Sequence, residues 1–240
     1  MQGNVLTALV MFGWIPALFY LFMRYPPQRA LIIGFIVAWL FLPLAELKFP
    51  GIPAYNKMSA TCYGILLTTA MYDMERISTF KPGWLDIPML VWSICPFFSS
   101  LVNDLTPYDA FSATLTQTMT WGVPYFLGRV YLNDLSGLRQ LAIGIFLGGL
   151  AYAPFCLFEI RMSPQLHLKV YGFNTIENFA QTIRYGGYRP QVFMSNGLMV
   201  GVWMMTATLM GIWLWRAGIV KRVGKVPVTL AVAILTATFI

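Results

Sequence analysis

The sequence predicts an all-α fold: a polytopic bundle of transmembrane helices with about seven complete spans, a truncated eighth, and a short interfacial helix in the loop before the seventh. Three observations carry that reading. Charged residues make up 10% of the 240-residue chain and hydrophobic residues 58%, where a soluble domain has roughly 25% charged residues. Mean hydropathy is +0.66, and 16 basic with 9 acidic side chains are too few to cover a folded chain of this length in water. Apolar runs also recur at close to the ~20 residues that a helix needs to cross a bilayer core.

Eight runs fall at about 5–23, 30–45, 58–72, 87–102, 110–128, 140–158, 191–215 and 226–240. The third is short for a span. Pro16, Pro43, Pro88, Pro96, Pro124 and Pro154 lie in or beside the runs, where neighbouring helices can re-satisfy the backbone of a kinked span. The first positive charge, Arg24, follows the first run, so the start lacks the basic region of a cleavable signal and reads as a retained helix. The last run ends in "LTATFI" with no polar flank, which predicts a truncated chain with part of any site beyond residue 240.

Lys and Arg set the orientation. The odd loops hold ten cations: Arg24, Arg29, Arg76, Lys81, Arg129, Arg139, Arg216, Lys221, Arg222 and Lys225. The even loops hold six: Lys48, Lys57, Arg161, Lys169, Arg184 and Arg189. The N-terminus and even loops are therefore placed outside. Residues 1–240 read as one transmembrane domain whose longest polar stretch, 159–190, is an external loop. Within it "MSPQLHLKVYGF" offers Ser163 as an N-cap and Pro164 at the first helical position, with Leu166, Val170 and Tyr171 at helical spacing, the pattern of a short helix lying in the membrane interface. Gly172, Asn174, Gly186 and Gly187 then predict turns up to Arg189.

The +7 net charge does not point to nucleic acid, because the cations are scattered singly between apolar runs. Cys62, Cys95 and Cys156 are far apart and His167 is the one histidine. The cysteines read as packing residues, and neither a metal site nor a cofactor is expected. No Walker loop, GxGxxG, GxSxG or HExxH stands where it could work, and no acid lies in mid-span to couple protons.

The candidate site gathers around the external arginines. Arg161, Arg184 and Arg189 carry guanidinium forks suited to phosphate oxygens, and the membrane phosphate at that depth is a lipid's; the competing role is snorkelling to headgroups. Arg189 stands out because Gly186 and Gly187 allow close backbone approach and Pro190 sets the entry of the next helix. Asn196, seven residues on, would share its face if the helix began at once, and would line a polar cavity or bond to a neighbouring helix. His167 reads as a surface histidine or a general base, and Glu159 as a base or the partner of a nearby arginine. Gly144 with Gly148, and Gly197 with Gly201, form GxxxG pairs suited to helix packing. Trp213 and Trp215 beside Arg216 suit an interfacial belt.

The stretch "RYGGYRPQVFMSNGLMVG" resembles the O-antigen ligase and polymerase superfamily of bacterial envelopes, whose shared domain opens on R-x-x-G-x-F-x-N-P-N. Here "RPQVFMSNG" supplies Arg189, Phe193 and Asn196 in comparable order, with Gln191-Val192 in place of the glycine region and Ser195-Asn196-Gly197 in place of the asparagine pair. The segment "YFLGRVYLNDLSGLRQLAIGIFLGGLAYAPFCLFEIRMSP" resembles what precedes that motif, with Arg129 at a cytoplasmic helix end. The resemblance implies metal-independent glycosyl transfer on the outer face of the inner membrane. The donor would be a glycan on undecaprenyl pyrophosphate, and the acceptor a sugar hydroxyl of lipid A core or another glycan. Arg189 would hold the pyrophosphate, assisted by Arg184 or Arg161, with Gly187 and Asn196 beside it, and a histidine acting on the acceptor would come from a later external loop. The alternatives are a transporter or flippase for a lipid-linked glycan and a noncatalytic subunit of an envelope assembly.

Overall fold

The computed structural model describes residues 3–49, 52–176, 179–184 and 186–238. The chain is mostly helical, with three short antiparallel hairpins that the all-α expectation did not include. Among the described residues four helices, rather than seven or eight, are long and apolar enough to cross a membrane. These are α1 (Val5–Arg24), a 3-10 turn (Trp84–Asp86) running into α5 (Ile87–Val102), α8 (Leu135–Met162) and α10 (Gly197–Arg216). Their apolar side chains are largely uncovered, Trp84 at 80% and Trp213 at 73% exposure, as lipid-facing surfaces are and water-facing ones rarely are.

The remaining runs fall short for separate reasons. The second folds as α2 (Pro27–Phe41), whose 15 residues rise only about 23 Å against a bilayer core of about 30 Å. The third becomes α3 (Lys57–Tyr72), 16 residues long, with Ser59, Thr61, Thr68 and Thr69 buried inside the protein. The fifth divides into α6 (Pro107–Gln117), a π-helical turn (Thr118–Gly122) and α7 (Val123–Tyr131). Pro124 contributes to that interruption, since it has no N–H to continue an α-helical ladder. The last gives α11 (Val228–Thr236), nine residues, and residues 239 and 240 lie outside the described ones.

The described chain forms two compact units. In the first, residues 11–34 and 45–137, Leu18 fills the space between two glycines: a Cβ on Gly34 would lie 2.7 Å from it, and one on Gly64 would collide with it. Strands β1 (Leu47–Phe49) and β2 (Ile52–Tyr55) pair as a hairpin that delivers the chain to α3. There the Asn56 side chain accepts the Met58 and Ser59 N–H groups at 3.0 Å, and Ser59 Oγ accepts the Asn56 N–H at 2.8 Å, a reciprocal cap. The five-residue α4 (Met74–Ser78) follows α3. At the start of α5, Asp86 accepts two bonds from Arg129 at 2.9 and 3.2 Å, one from Tyr125 at 2.7 Å and the Gly83 N–H at 2.6 Å, tying the 83–86 turn to α7.

The second unit comprises residues 3–10, 35–44 and 138–238, and it carries the arginine stretch. Its core runs through Phe146, Tyr152, Cys156, Val200, Met204, Ala207 and Leu235. Close approach of α8 and α10 depends on two glycines: a Cβ on Gly149 would collide with Ala207, and one on Gly211 would lie 2.6 Å from the Phe146 ring. Of the expected GxxxG glycines, Gly148 does pack, with Ile36 2.8 Å and Trp203 3.2 Å from its Cβ position, but a Cβ on Gly201 would meet nothing within 4 Å. Cys62 and Cys156 are buried and Cys95 is exposed, so packing accounts for two of the three. A second hairpin, β3 (Ile183–Arg184) with β4 (Gly187–Tyr188), lies before α10, and a third, β5 (Arg222–Val223) with β6 (Val226–Pro227), follows it.

Candidate functional site

The site is built between two helices whose ends lie far apart in sequence. α8 continues four residues beyond the expected end of its run, to Met162, so that Glu159 lies inside the helix. The chain then reverses at Ser163, which has φ +75. Ser163 is thus the turning residue and not a helix cap. The short helix is present as α9 (Leu166–Tyr171), but Gln165 precedes it, and Gly172 at φ +77 closes it in the left-handed conformation that glycine adopts without steric cost.

The β3–β4 hairpin brings the backbone to Arg189. Arg184 pairs with Gly187 across it and Gly186, at φ +81, forms its turn, as the glycine pair predicts. The side chain of Arg184 lies outside the described residues. Arg189 then anchors its backbone through an N–H bond to Thr182 O at 2.6 Å. Its side chain is half-buried, and among the described residues the guanidinium forms no hydrogen bond and no ion pair. Its aliphatic stem lies directly on Gly197, where a Cβ would collide with Arg189 Cγ and Cδ. Gly197 is the first residue of α10.

Asn196 is not inside a helix on the face of Arg189. Residues 189–196 form an irregular strap, and Asn196 is the N-cap of α10, its side-chain oxygen accepting the Met199 N–H at 2.9 Å. The amides of Gly197 and Leu198 have no partner among the described residues. A helix start with free amides favours an anion, through the amides themselves and the aligned peptide dipoles. Arg161 is exposed in the last turn of α8, and a separation of two residues turns it roughly 200° from Glu159 around the helix.

Glu159 does not serve as an arginine's partner among the described residues. Its carboxylate is 1% exposed and accepts three backbone amides: Leu166 N–H on Oε1 at 2.9 Å, and Gln191 and Val192 N–H on Oε2 at 2.8 and 2.7 Å. Seven residues earlier on α8, the Tyr152 hydroxyl accepts the Phe193 N–H at 3.0 Å. Three consecutive amides of the strap are thus taken by side chains of one helix. Sequence reasoning singled out Glu159 but not this task. The available signal was a carboxylate and a phenol two turns apart on one face of the apolar part of α8.

His167 is buried rather than superficial, at 5% exposure. The Leu44 N–H points at its Nε2 at 3.3 Å, which leaves Nδ1 as the donor to Phe173 O at 3.1 Å. The ring also packs edge-on against Phe173, with centroids 4.5 Å apart. With both nitrogens engaged, His167 fits a structural role and not that of a general base. Tyr171 donates to Phe41 O at 2.5 Å, and burial pushes its phenol up to about 12, so it remains a donor at physiological pH.

The fold and this strap together have the features of a membrane protein, with an arginine held at the start of a bilayer-length helix. No protein-family model matches the chain, and neither a curated protein nor a solved structure matches it.

Proposed function

We propose that the chain is a glycosyltransferase of the O-antigen ligase and polymerase type, acting in a bacterial inner membrane at its external face. It would move a glycan from undecaprenyl pyrophosphate to a sugar hydroxyl of lipid A core or another glycan. The observation that carries the proposal is Arg189: a half-buried guanidinium without an acid partner among the described residues, its stem on the first residue of α10. A lipid tail fixes a pyrophosphate at the depth where such a residue lies, and a planar fork with the first amides of a helix is suited to hold it.

In the reaction the acceptor oxygen bonds to the sugar's anomeric carbon while the bond from that carbon to the pyrophosphate oxygen breaks, and the acceptor proton passes to a base. Negative charge grows on the departing pyrophosphate, and Arg189 stabilises it there. His167 does not serve as that base, because its nitrogens are occupied within the fold. Arg184, Arg161 and Gly187 remain candidate neighbours of the phosphate, with Asn196 organising the helix start through its cap.

The test is glycan transfer by the full-length protein, wild type against Arg189→Ala at matched membrane insertion, with an undecaprenyl-pyrophosphate glycan and a panel of acceptors. Transfer by the wild type and its loss in the variant support the reading, and the acceptor used separates ligase from polymerase. Unchanged transfer by the variant returns Arg189 to the lipid headgroups. Translocation of the donor without transfer would mark a transporter.

A further inference from the structure

We infer that Glu159 is the positioning residue that holds Arg189 in place, acting through the strap of residues 189–196; the link to pyrophosphate rests on the proposed function. The strap is irregular backbone between a hairpin and a bilayer-length helix, and its amides need acceptors that no helical or strand ladder supplies. Gln191 and Val192 find theirs in one carboxylate oxygen of Glu159, and Phe193 finds its own in Tyr152. The other Glu159 oxygen holds Leu166 at the first turn of α9. One buried side chain therefore fastens both segments that follow α8 in the second unit.

The backbone at Val192 shows what this fastening maintains. Val192 has φ +53, a left-handed conformation that a β-branched residue adopts only under constraint from its surroundings. That conformation sets the direction of the Phe193 N–H relative to the Val192 N–H, so that the first reaches Tyr152 while the second stays on Glu159. The turn closes with the Met194 N–H on Gln191 O at 2.9 Å. Arg189 lies two residues before the first clasped amide and is tied on its other side to Thr182 O, so its stem is held over Gly197 from both directions. Only a group with acceptors on both oxygens suits this position. Glutamine would present an NH2 either to Leu166 N–H or to the Gln191 and Val192 pair.

The experiment uses the detergent-solubilised full chain with Glu159→Gln, and with Tyr152→Phe as a milder variant should Glu159→Gln fail to unfold cooperatively. Two readouts are taken: hydrogen exchange at the Leu166, Gln191 and Val192 amides, and affinity for undecaprenyl pyrophosphate in micelles, each also in an Arg189→Ala background. Loss of the buried acceptor should accelerate exchange at residues 191 and 192 and weaken affinity about tenfold or more. The loss of affinity should vanish once Arg189 is alanine, while the faster exchange should persist. Tyr152→Phe should do the same at Phe193 with a smaller loss. Unchanged exchange, or an equal loss of affinity with and without Arg189, would overturn the inference. A wild-type protein that binds no pyrophosphate lipid overturns the functional reading alone, and the exchange rates then decide the clasp by themselves.

Discussion

Gly197→Ala is the smallest change that should disturb Arg189 without touching it. At the start of a helix the substitution would ordinarily favour folding, because alanine exceeds glycine in helix propensity by up to about 1 kcal/mol. Here the new methyl would occupy the space of Arg189 Cγ and Cδ and lie 3.0 Å from Pro190 O. The obstacle is the middle of the arginine stem and a carbonyl of the strap, neither of which swings aside freely. Overpacking of this kind costs about 1–3 kcal/mol, so the net effect should be a destabilisation of up to about 2 kcal/mol once the full propensity gain is subtracted. Denaturant titration in mixed micelles would measure it. In an Arg189→Ala background the stem is gone and only the Pro190 contact remains, so the cost should fall by at least about 1 kcal/mol, the coupling expected of side chains in contact. An equal cost in both backgrounds would show that Arg189 does not lie on Gly197 and would refute the geometry of the site.

In Gly211→Ala the new methyl would press on the Phe146 ring at 2.6 Å; a loss of about 1–3 kcal/mol should shrink when Phe146→Leu makes room, and additivity in the titration would contradict the packing. Asp86→Asn should lower the melting temperature by weakening bonds to Arg129, Tyr125 and Gly83, and Arg129→Ala should add little to it in a thermal melt. Lys57 is buried at the start of α3, and desolvation lowers its pKa from 10.5 to about 8. The unfolded chain therefore binds the extra proton between those values, so stability should rise with pH across that window, by about 3 kcal/mol in all. Lys57→Met should flatten the curve, and an unchanged slope would place Lys57 in water.

The helices were legible because the apolar runs and the turn residues act locally. The glycine pair at 186 and 187 marked a turn, and α8 and α10 follow from their own hydrophobicity. The span count was not legible, because hydropathy cannot tell a helix that faces lipid from one, like α3, that buries its hydroxyls within the protein. The site was legible only in part. Arg189 was visible as a guanidinium at an apolar mouth, but Asn196 was placed in a helix because the strap before it has the composition of a span. Its irregular course depends on acceptors from Tyr152 and Glu159 more than thirty residues away. His167 was misread for a similar reason: Leu44 and Phe173, which bond its ring nitrogens, come from separate segments that only the fold assembles.

The central claim is that Arg189 binds a lipid-borne pyrophosphate. Its most direct measurement is a titration of the purified full chain with undecaprenyl pyrophosphate and, in parallel, with undecaprenyl monophosphate, for wild type, Arg189→Ala and Arg189→Lys. Tighter wild-type binding of the pyrophosphate, lost in the alanine variant and only partly kept by lysine with its single-point charge, is the expected result. Equal binding of both lipids by all three proteins would contradict the claim.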